Sequence, residues 1–422
     1  MKILIKGAYT LDTGINDIGI EDGVIKFKGK VCENFVPDET INADNCIAMP
    51  GLVNAHTHAA MVLLRNLADD YPFSEWLFNR VLPFEAKLTE DDIYWGTNLA
   101  IAEMIRSGTT AFADMYRHMD RVAEAAADSG IRANLSYGPI TSAVHGKGEI
   151  VDIKACEKYF NTWNNSNSGR IKSHIEIHSV FLYEKEAVAE AAALAKSLGT
   201  GIHIHISESL SEQETIQKKY GKSPTQVCLE LGIFEAPVIA AHCVHVNEED
   251  IKILKSNGVY IAHNPTSNLK LANGVAPVDK FIENGINVCL GTDGASSNNN
   301  LNMFEEMHIA SILHKGIRRN AECVPAIETI KMATINGAKA LGFKNLGIIE
   351  PGYAADIIII DTDKPHLCPL GNINAAVAYT AQASDVRDVI VDGRILMKNR
   401  ELKTIDEEKA MQNVKKIRMG KE

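Results

Sequence analysis

The sequence predicts an α/β chain: a (β/α)8 TIM barrel carrying a small β-sandwich domain built from both termini. Three observations lead there. Eight short apolar runs alternate with helix-like segments through the middle of the chain, a β-rich texture at the start returns near the end, and histidines and acids gather at one end of the apolar runs. At 422 residues the chain is long enough for one large barrel with an appendage.

Residues 1 to about 46 alternate "KILIKGAYTL" with "DIGIEDGVIKFKG", short β-rich stretches joined by a turn at Asp22 and Gly23. The same texture returns in "AADIIIIDTD" (354–363) and in "VRDVIVDGRILMKNREL" (386–402), which has its own Asp392-Gly393 turn. The expected division is therefore 1–48 and 346–422 for the two halves of the sandwich, and 49–345 for the barrel. Within the barrel the apolar runs are "CIAMPGLVNAHTH" (46–58), "TTAFADM" (109–115), "IRANLSYGPI" (131–140), "SHIEIHS" (173–179), "GIHIHISES" (201–209), "PVIAAHCVH" (237–245), "VYIAHNPTSN" (259–268) and "INVCLGTDG" (286–294). Segments such as "DDIYWGTNLAIAEMIRSG" (91–108) and "EKEAVAEAAALAKSLG" (184–199) supply helices between them. The third and fourth connections, with "NTWNNSNSG" (161–169), are the least regular. An open doubly wound sheet is the fallback, but no G-x-G-x-x-G follows any run.

Composition narrows the function. With 43 lysines and arginines against 54 acids, the net charge is -11, and no basic block offers a nucleic-acid footprint. The eight cysteines (32, 46, 156, 228, 243, 289, 323 and 368) include no C-x-x-C pair, which suits reduced thiols in a cytoplasmic protein. No segment is apolar for long enough to span a bilayer, and the start lacks the apolar core of an export signal. Neither nucleic acid nor a membrane is expected as a partner.

The chemistry starts from "AHTH". In a strand, residues i and i+2 face one side, so His56 and His58 present both imidazoles to one place. Placed on the runs, His56 and His58 close the first, His178 the fourth, His205 and Glu208 the fifth, His242 the sixth and Asp293 the eighth. Those carboxyl ends form the catalytic face of this fold. A divalent ion of the zinc type takes imidazole and carboxylate and, in a catalytic site, leaves a position for water. His56, His58, His205 and Asp293 form such a set. His203 shares a face with His205 but lies deeper, where a hydrogen-bonded core histidine fits better. Glu208, three residues past His205, reaches the site only if the strand ends and the chain bends there. Asp293 has a competing reading as a turn residue in "GTDGASSNN".

The stretches "PGLVNAHTHAAM", "EMIRSGTTAFADM", "HISES", "AAHCVH", "HNPTSNLKL" and "GTDGASSNNNLNMFEEM" together resemble the metal-dependent amidohydrolase superfamily. More closely, they are similar to its 5'-methylthioadenosine/S-adenosylhomocysteine deaminase family, over essentially the whole chain. The resemblance implies one divalent metal per subunit, with zinc the foremost candidate, on His56, His58, His205 and Asp293, and Glu208 and His242 contacting substrate. Two-metal members carry a bridging lysine at the end of the fourth strand; here that run ends in His178. The resemblance also implies that Glu85 holds the ribose hydroxyls, that His178 touches the nucleoside, that Trp76 lies over the base, and that the chain forms a homo-oligomer. Some relatives hold the carboxylate of S-adenosylhomocysteine with an arginine after the third strand; the stretch 145–160 has lysines but no arginine.

The implied reaction is hydrolytic deamination of the adenine 6-amino group, with Asp293 accepting a proton from water, Glu208 protonating the ring and His242 stabilising the added oxygen. Alternatives on the same metal site are a guanine or other aminopurine deaminase and a triazine hydrolase. An inactive barrel scaffold is the reading from another class, and the unbroken ligand set argues against it.

Overall fold

The computed structural model describes residues 1–12, 14–30, 34–139 and 151–421. Cys32, Ile140 at the end of the third run and residues 145–150 of the lysine-bearing stretch therefore lie outside the described residues.

The two termini build one sheet. Strands Lys2–Thr10, Gly14–Glu21 and Val24–Gly29 run antiparallel, and Glu39–Asn42 and Cys46–Pro50 pair parallel with the first. The C-terminal strands Ile357–Asp361, Val386–Val391, Arg394–Lys398 and Glu401–Leu402 extend the same sheet, giving nine strands. Both hairpin turns adopt the left-handed conformation that two-residue turns need: φ is 51° and 79° at Asp22 and Gly23, and 53° and 69° at Asp392 and Gly393. The expected sandwich is thus a continuous sheet wrapped over its own core of Ile3, Ile5, Ile18, Ile20, Ile357 and Ile359.

Strand Cys46–Pro50 joins the two halves, pairing antiparallel with Ile357–Asp361 from Cys46 opposite Asp361 to Pro50 opposite Ile357. The first apolar run is therefore two strands, broken at Gly51. A side chain at Gly51 would lie 2.1 Å from Thr110 Oγ1, so the break requires glycine. The passage from sheet to barrel falls here, two residues beyond the expected 48/49 division, because both halves of the run are buried and share one apolar texture.

Beyond Gly51 the barrel strands are β1 (Leu52–Thr57), β2 (Thr109–Met115), β3 (Arg132–Ser136), β4 (Ile175–Ile177), β5 (Ile202–Ile206), β6 (Val238–His242), β7 (Tyr260–His263) and β8 (Asn287–Leu290). The strands from β1 to β3 and from β4 to β8 pair parallel within two arcs. At one seam a two-residue strand, Ile171–Lys172, pairs with β3 and Tyr137 bridges to Ile175, so the fourth strand is split where the connection is least regular. At the other, the Asp293 N–H donates to the His56 carbonyl at 3.0 Å, and Asn54 and Thr292 exchange hydrogen bonds at 2.7 and 2.9 Å. Closure of the barrel and placement of two candidate ligands are the same event.

Helix Glu90–Arg106 starts in a capping box between Thr89 and Asp92, and Lys185–Leu198 stops at Gly199 with φ 64°. The C-terminal segment does not end in the sheet. Helix Glu407–Lys421 returns to the barrel, where Arg106 donates to Glu407 and Arg418 to the Leu63 carbonyl. The seven described cysteines are free thiols, and no described helix is long and apolar enough to cross a membrane.

Barrel and sheet are pinned by a buried ion cluster. Arg132 at the start of β3 donates to Asp356 at 2.9 and 3.1 Å and to Asp392 at 2.8 Å, and Arg132 and Asp356 are 6% and 3% exposed. Removing one partner leaves a buried charge uncompensated, which costs about 3–5 kcal/mol. Asp356→Ala should therefore lower the thermal midpoint clearly while leaving metal content at 25 °C unchanged. An unaltered midpoint would show that the cluster does not stabilise the junction.

Candidate active site

The carboxyl ends of the strands bring the predicted ligands together. His58 Nε2 lies 3.3 Å from both His205 Nε2 and Asp293 Oδ1, and His56 Nε2 lies 3.5 Å from Asp293 Oδ1. The outer nitrogens explain the orientation. His58 Nδ1 faces the Met115 carbonyl and His205 Nδ1 the His178 carbonyl, both at 2.7 Å. A carbonyl only accepts, so each Nδ1 carries the hydrogen and each Nε2 turns a lone pair inward. Two lone pairs and a carboxylate oxygen at such distances repel unless a cation stands among them.

The donors fit one small ion. Ligands about 2.1 Å from a tetrahedral centre stand about 3.4 Å apart, close to the separations found here. His56 Nε2 is buried without a hydrogen-bond partner, and burial pushes this imidazole down to about 4, so it is neutral and able to ligate. His203 sits beneath, with Nε2 2.9 Å from His56 Nδ1, and so meets the outer nitrogen of His56. His242 completes a second close group with His56 and His205, while its Nδ1 meets Asn268 Oδ1 at 2.8 Å.

Left-handed backbone aims three of these groups: φ is 54° at Ser207, 73° at His242 and 63° at Asp293. Such conformations cost about 1–3 kcal/mol each in non-glycine residues and persist where the surroundings impose them. At Ser207 the agent is Glu212, whose carboxylate accepts the N–H groups of Ser207 at 3.1 Å and Glu208 at 2.7 Å. This is the bend that Glu208 required. Its carboxylate accepts from Asn273 at 3.1 Å and stands 3.9 Å from His242 Nε2. Burial, aided by the charge of Asp293, pushes Glu208 up to about 8.

A cavity opens beside the cluster, lined by His58, Glu85, Tyr116, Arg117, Glu176 and His178 among others. Tyr116 donates to Glu85 Oε1 at 2.6 Å; burial raises the Glu85 carboxyl, and the tyrosine bond and the charge of Arg117 oppose that rise. Trp76 is buried with its indole N–H on Ser296 Oγ at 3.2 Å, and Leu77 and Val81 on the same turn of chain line the cavity.

Several supporting residues were not foreseen. Ser267 and Ser297 donate to Asp293 Oδ2 at 2.6 and 2.9 Å, and Asn268, Asn273 and Glu212 orient His242 and Glu208. For the serines and asparagines the one signal was the density of those residues in "HNPTSNLKLANG" and "GTDGASSNNN".

Comparison with known proteins bears on this geometry. Residues 47–396 match the Amidohydrolase family. The chain belongs to that family. This amidohydrolase is 53% identical to the 5-methylthioadenosine/S-adenosylhomocysteine deaminase of Acetivibrio thermocellus, over 99% of each chain, and 50% identical to that of Thermoanaerobacter pseudethanolicus, over 95% of this chain and 93% of the other. Among solved structures it superposes on an adenosine deaminase of Xanthomonas campestris with bound zinc, at TM-score 0.95 and 30% identity over 99% and 98% of the two chains. An atrazine chlorohydrolase of Arthrobacter aurescens, at 24% identity and TM-score 0.91 over 99% of this chain and all of the other, shares the fold.

Ligand and ligand-orienting roles separate in a chelator competition. His56→Ala should purify essentially metal-free, whereas His203→Leu should bind metal about 10- to 100-fold more weakly than wild type. Full metal affinity in His203→Leu would remove its orienting role.

Proposed function

We propose that this amidohydrolase is a hydrolytic deaminase of adenine nucleosides. It replaces the 6-amino group of 5'-methylthioadenosine, S-adenosylhomocysteine or adenosine by oxygen and releases ammonia. One observation carries the reading: His58 of the inward-facing cluster lines the same cavity as the buried Glu85, and Glu208 stands 3.9 Å from His242 beside that cluster. The names of the relatives, at 53% and 50% identity, support the substrate class.

His56, His58, His205 and Asp293 would hold one divalent ion, zinc being the ion in the Xanthomonas relative, and when bound it would lower the pKa of a water from about 15.7 toward 7. The protein groups do the rest. Asp293 takes a proton from the attacking water, with Ser267 and Ser297 holding its other oxygen. As oxygen adds to the amino-bearing carbon, Glu208 passes its proton to the neighbouring ring nitrogen, so negative charge does not accumulate on the purine. Asp293 then passes its proton to the amino nitrogen, the carbon–nitrogen bond breaks, and the hydroxyl proton returns to Glu208 as ammonia leaves. His242 Nε2, beside Glu208, hydrogen-bonds the added oxygen. Glu85 accepts from the ribose hydroxyls and His178 faces the nucleoside. Trp76, whose indole N–H reaches Ser296 in the loop that carries Asp293, is assigned to the face of the base. The absence of a lysine at the end of β4 supports a single ion.

Two measurements probe the roles. Glu208→Gln should retain its metal and lose about 10²- to 10⁴-fold in kcat. In wild type, kcat/KM should decline as pH rises through the Glu208 pKa, at about 8 or lower because a bound cation favours the carboxylate. A metal-free or fully active Glu208→Gln would contradict the assignment. Glu85→Ala should cost about 1–3 kcal/mol with adenosine, roughly ten- to a hundred-fold in kcat/KM, and much less with 2',3'-dideoxyadenosine. Equal losses on both would assign Glu85 to the fold and not to the ribose.

A further inference from the structure

The rim opposite the histidine cluster carries a second recess, of about 430 Å3, at the starts of β4 to β7. Lys172, Lys339 and Lys344 line it together with His174, and none of the described lining residues is an aspartate or glutamate. Elsewhere on this chain of net charge -11, lysines stand against carboxylates, as Lys28 does on Asp12 and Glu350 and Lys196 on Glu235. The three in the recess have no carboxylate partner among the described residues. Lys172 Nζ donates to Asn165 Oδ1 at 3.2 Å and lies 5.6 Å from the centre of the Phe343 ring, both neutral partners. Burial lowers the pKa of its ammonium, and the charges of Lys344 and Arg132 lower it further.

His174 points to a ligand independently. It is 8% exposed, and its Nδ1 is buried without a hydrogen-bond partner. A Cβ at Gly201, on the same wall, would lie 2.7 Å from its Cε1 and 2.8 Å from its Nε2, so bare backbone makes the room for the ring. Burial and the charge of Lys172 push this imidazole down to about 4, so at neutral pH it is uncharged and has one N–H to give. The irregular stretch 161–169 finds its place here as well, because Asn164 accepts the Ser173 N–H at 3.2 Å and closes one side of the recess.

An ammonium group is a compact point charge with three donors, which suits phosphate oxygens. A single phosphate group carries about -1.5 to -2 near pH 7, short of three lysines, and two joined phosphates match them. We propose that this recess binds a diphosphate group, free or carried by a nucleotide, on Lys172, Lys339 and Lys344 with a hydrogen bond from His174. The site lies at the far end of the strands that deliver His205 and His242, and it rests neither on the metal nor on the deaminase reading.

The test is calorimetric titration of the metal-loaded protein at low ionic strength with inorganic pyrophosphate, uridine 5'-diphosphate and inorganic phosphate, with metal content assayed before and after. Wild type should bind pyrophosphate at one equivalent per chain and about ten-fold or more tighter than phosphate. Uridine 5'-diphosphate binding as tightly as pyrophosphate supports a nucleotide as the source of the group, and pyrophosphate binding alone supports the free anion. The double variant Lys339→Ala/Lys344→Ala, at two exposed positions, should bind pyrophosphate about 10- to 100-fold more weakly while keeping metal content and turnover of 5'-methylthioadenosine. Lys339→Arg/Lys344→Arg, which keeps both charges, should bind as wild type does. No binding of either diphosphate, equal affinity for phosphate and pyrophosphate, or unchanged affinity in the alanine double variant overturns the proposal. So does an equal loss in the arginine variant, or binding that vanishes when the metal is removed, which would place the anion on the metal.

Discussion

The hydrogen bonds at the outer nitrogens of the histidines are the constraint on which the rest of the site depends. A buried imidazole has two polar nitrogens, and whichever meets a carbonyl must carry the hydrogen. Once His58 and His205 give theirs to the carbonyls of Met115 and His178, both Nε2 lone pairs must turn inward, toward Asp293. The barrel is the scaffold that can deliver this, because parallel strands bring five chain positions to one rim and leave their neighbours' carbonyls within reach. An ion then replaces repulsion by coordination, so the site is a liability without metal and a rigid receptor with it.

Backbone strain is concentrated where aim matters. Ser207, His242 and Asp293 hold left-handed conformations that cost energy in isolation, and each is pinned by contacts of its own. Glu212 accepts two consecutive N–H groups at the first. The barrel-closing bond from the Asp293 N–H to the His56 carbonyl holds the last. The same loops that carry this strain place Glu208 and Asp293 beside the histidine cluster. Burial beside a second carboxylate pushes the Glu208 carboxyl up to about 8, which suits the proposed role of proton donor.

How much of this was legible in the sequence follows from period and range. The i, i+2 spacing of His56 and His58 made their convergence readable, and the placement of His205 and Asp293 at run ends made a common rim readable. His203 was separable from His205 because depth in a barrel follows position along the strand. The break at Gly51 was obscured because a buried strand reads the same whether it belongs to sheet or barrel, although Pro50-Gly51 was a usual turn signal. Glu208 was conditional on a bend that depends on Glu212, four residues ahead and itself unremarkable in sequence. Glu85 stood out only through the family resemblance, and Arg117 not at all. Whether an arginine is buried or paired depends on which remote side chains approach it, and nothing local records that.

The central claim, that one ion on this cluster drives adenine nucleoside deamination, is met most directly by titrating chelator-stripped protein with Zn2+ while following ammonia release from 5'-methylthioadenosine. The account predicts activity rising in proportion to metal and levelling at one equivalent per chain. No ammonia at any loading, or a plateau only at two equivalents, would contradict it.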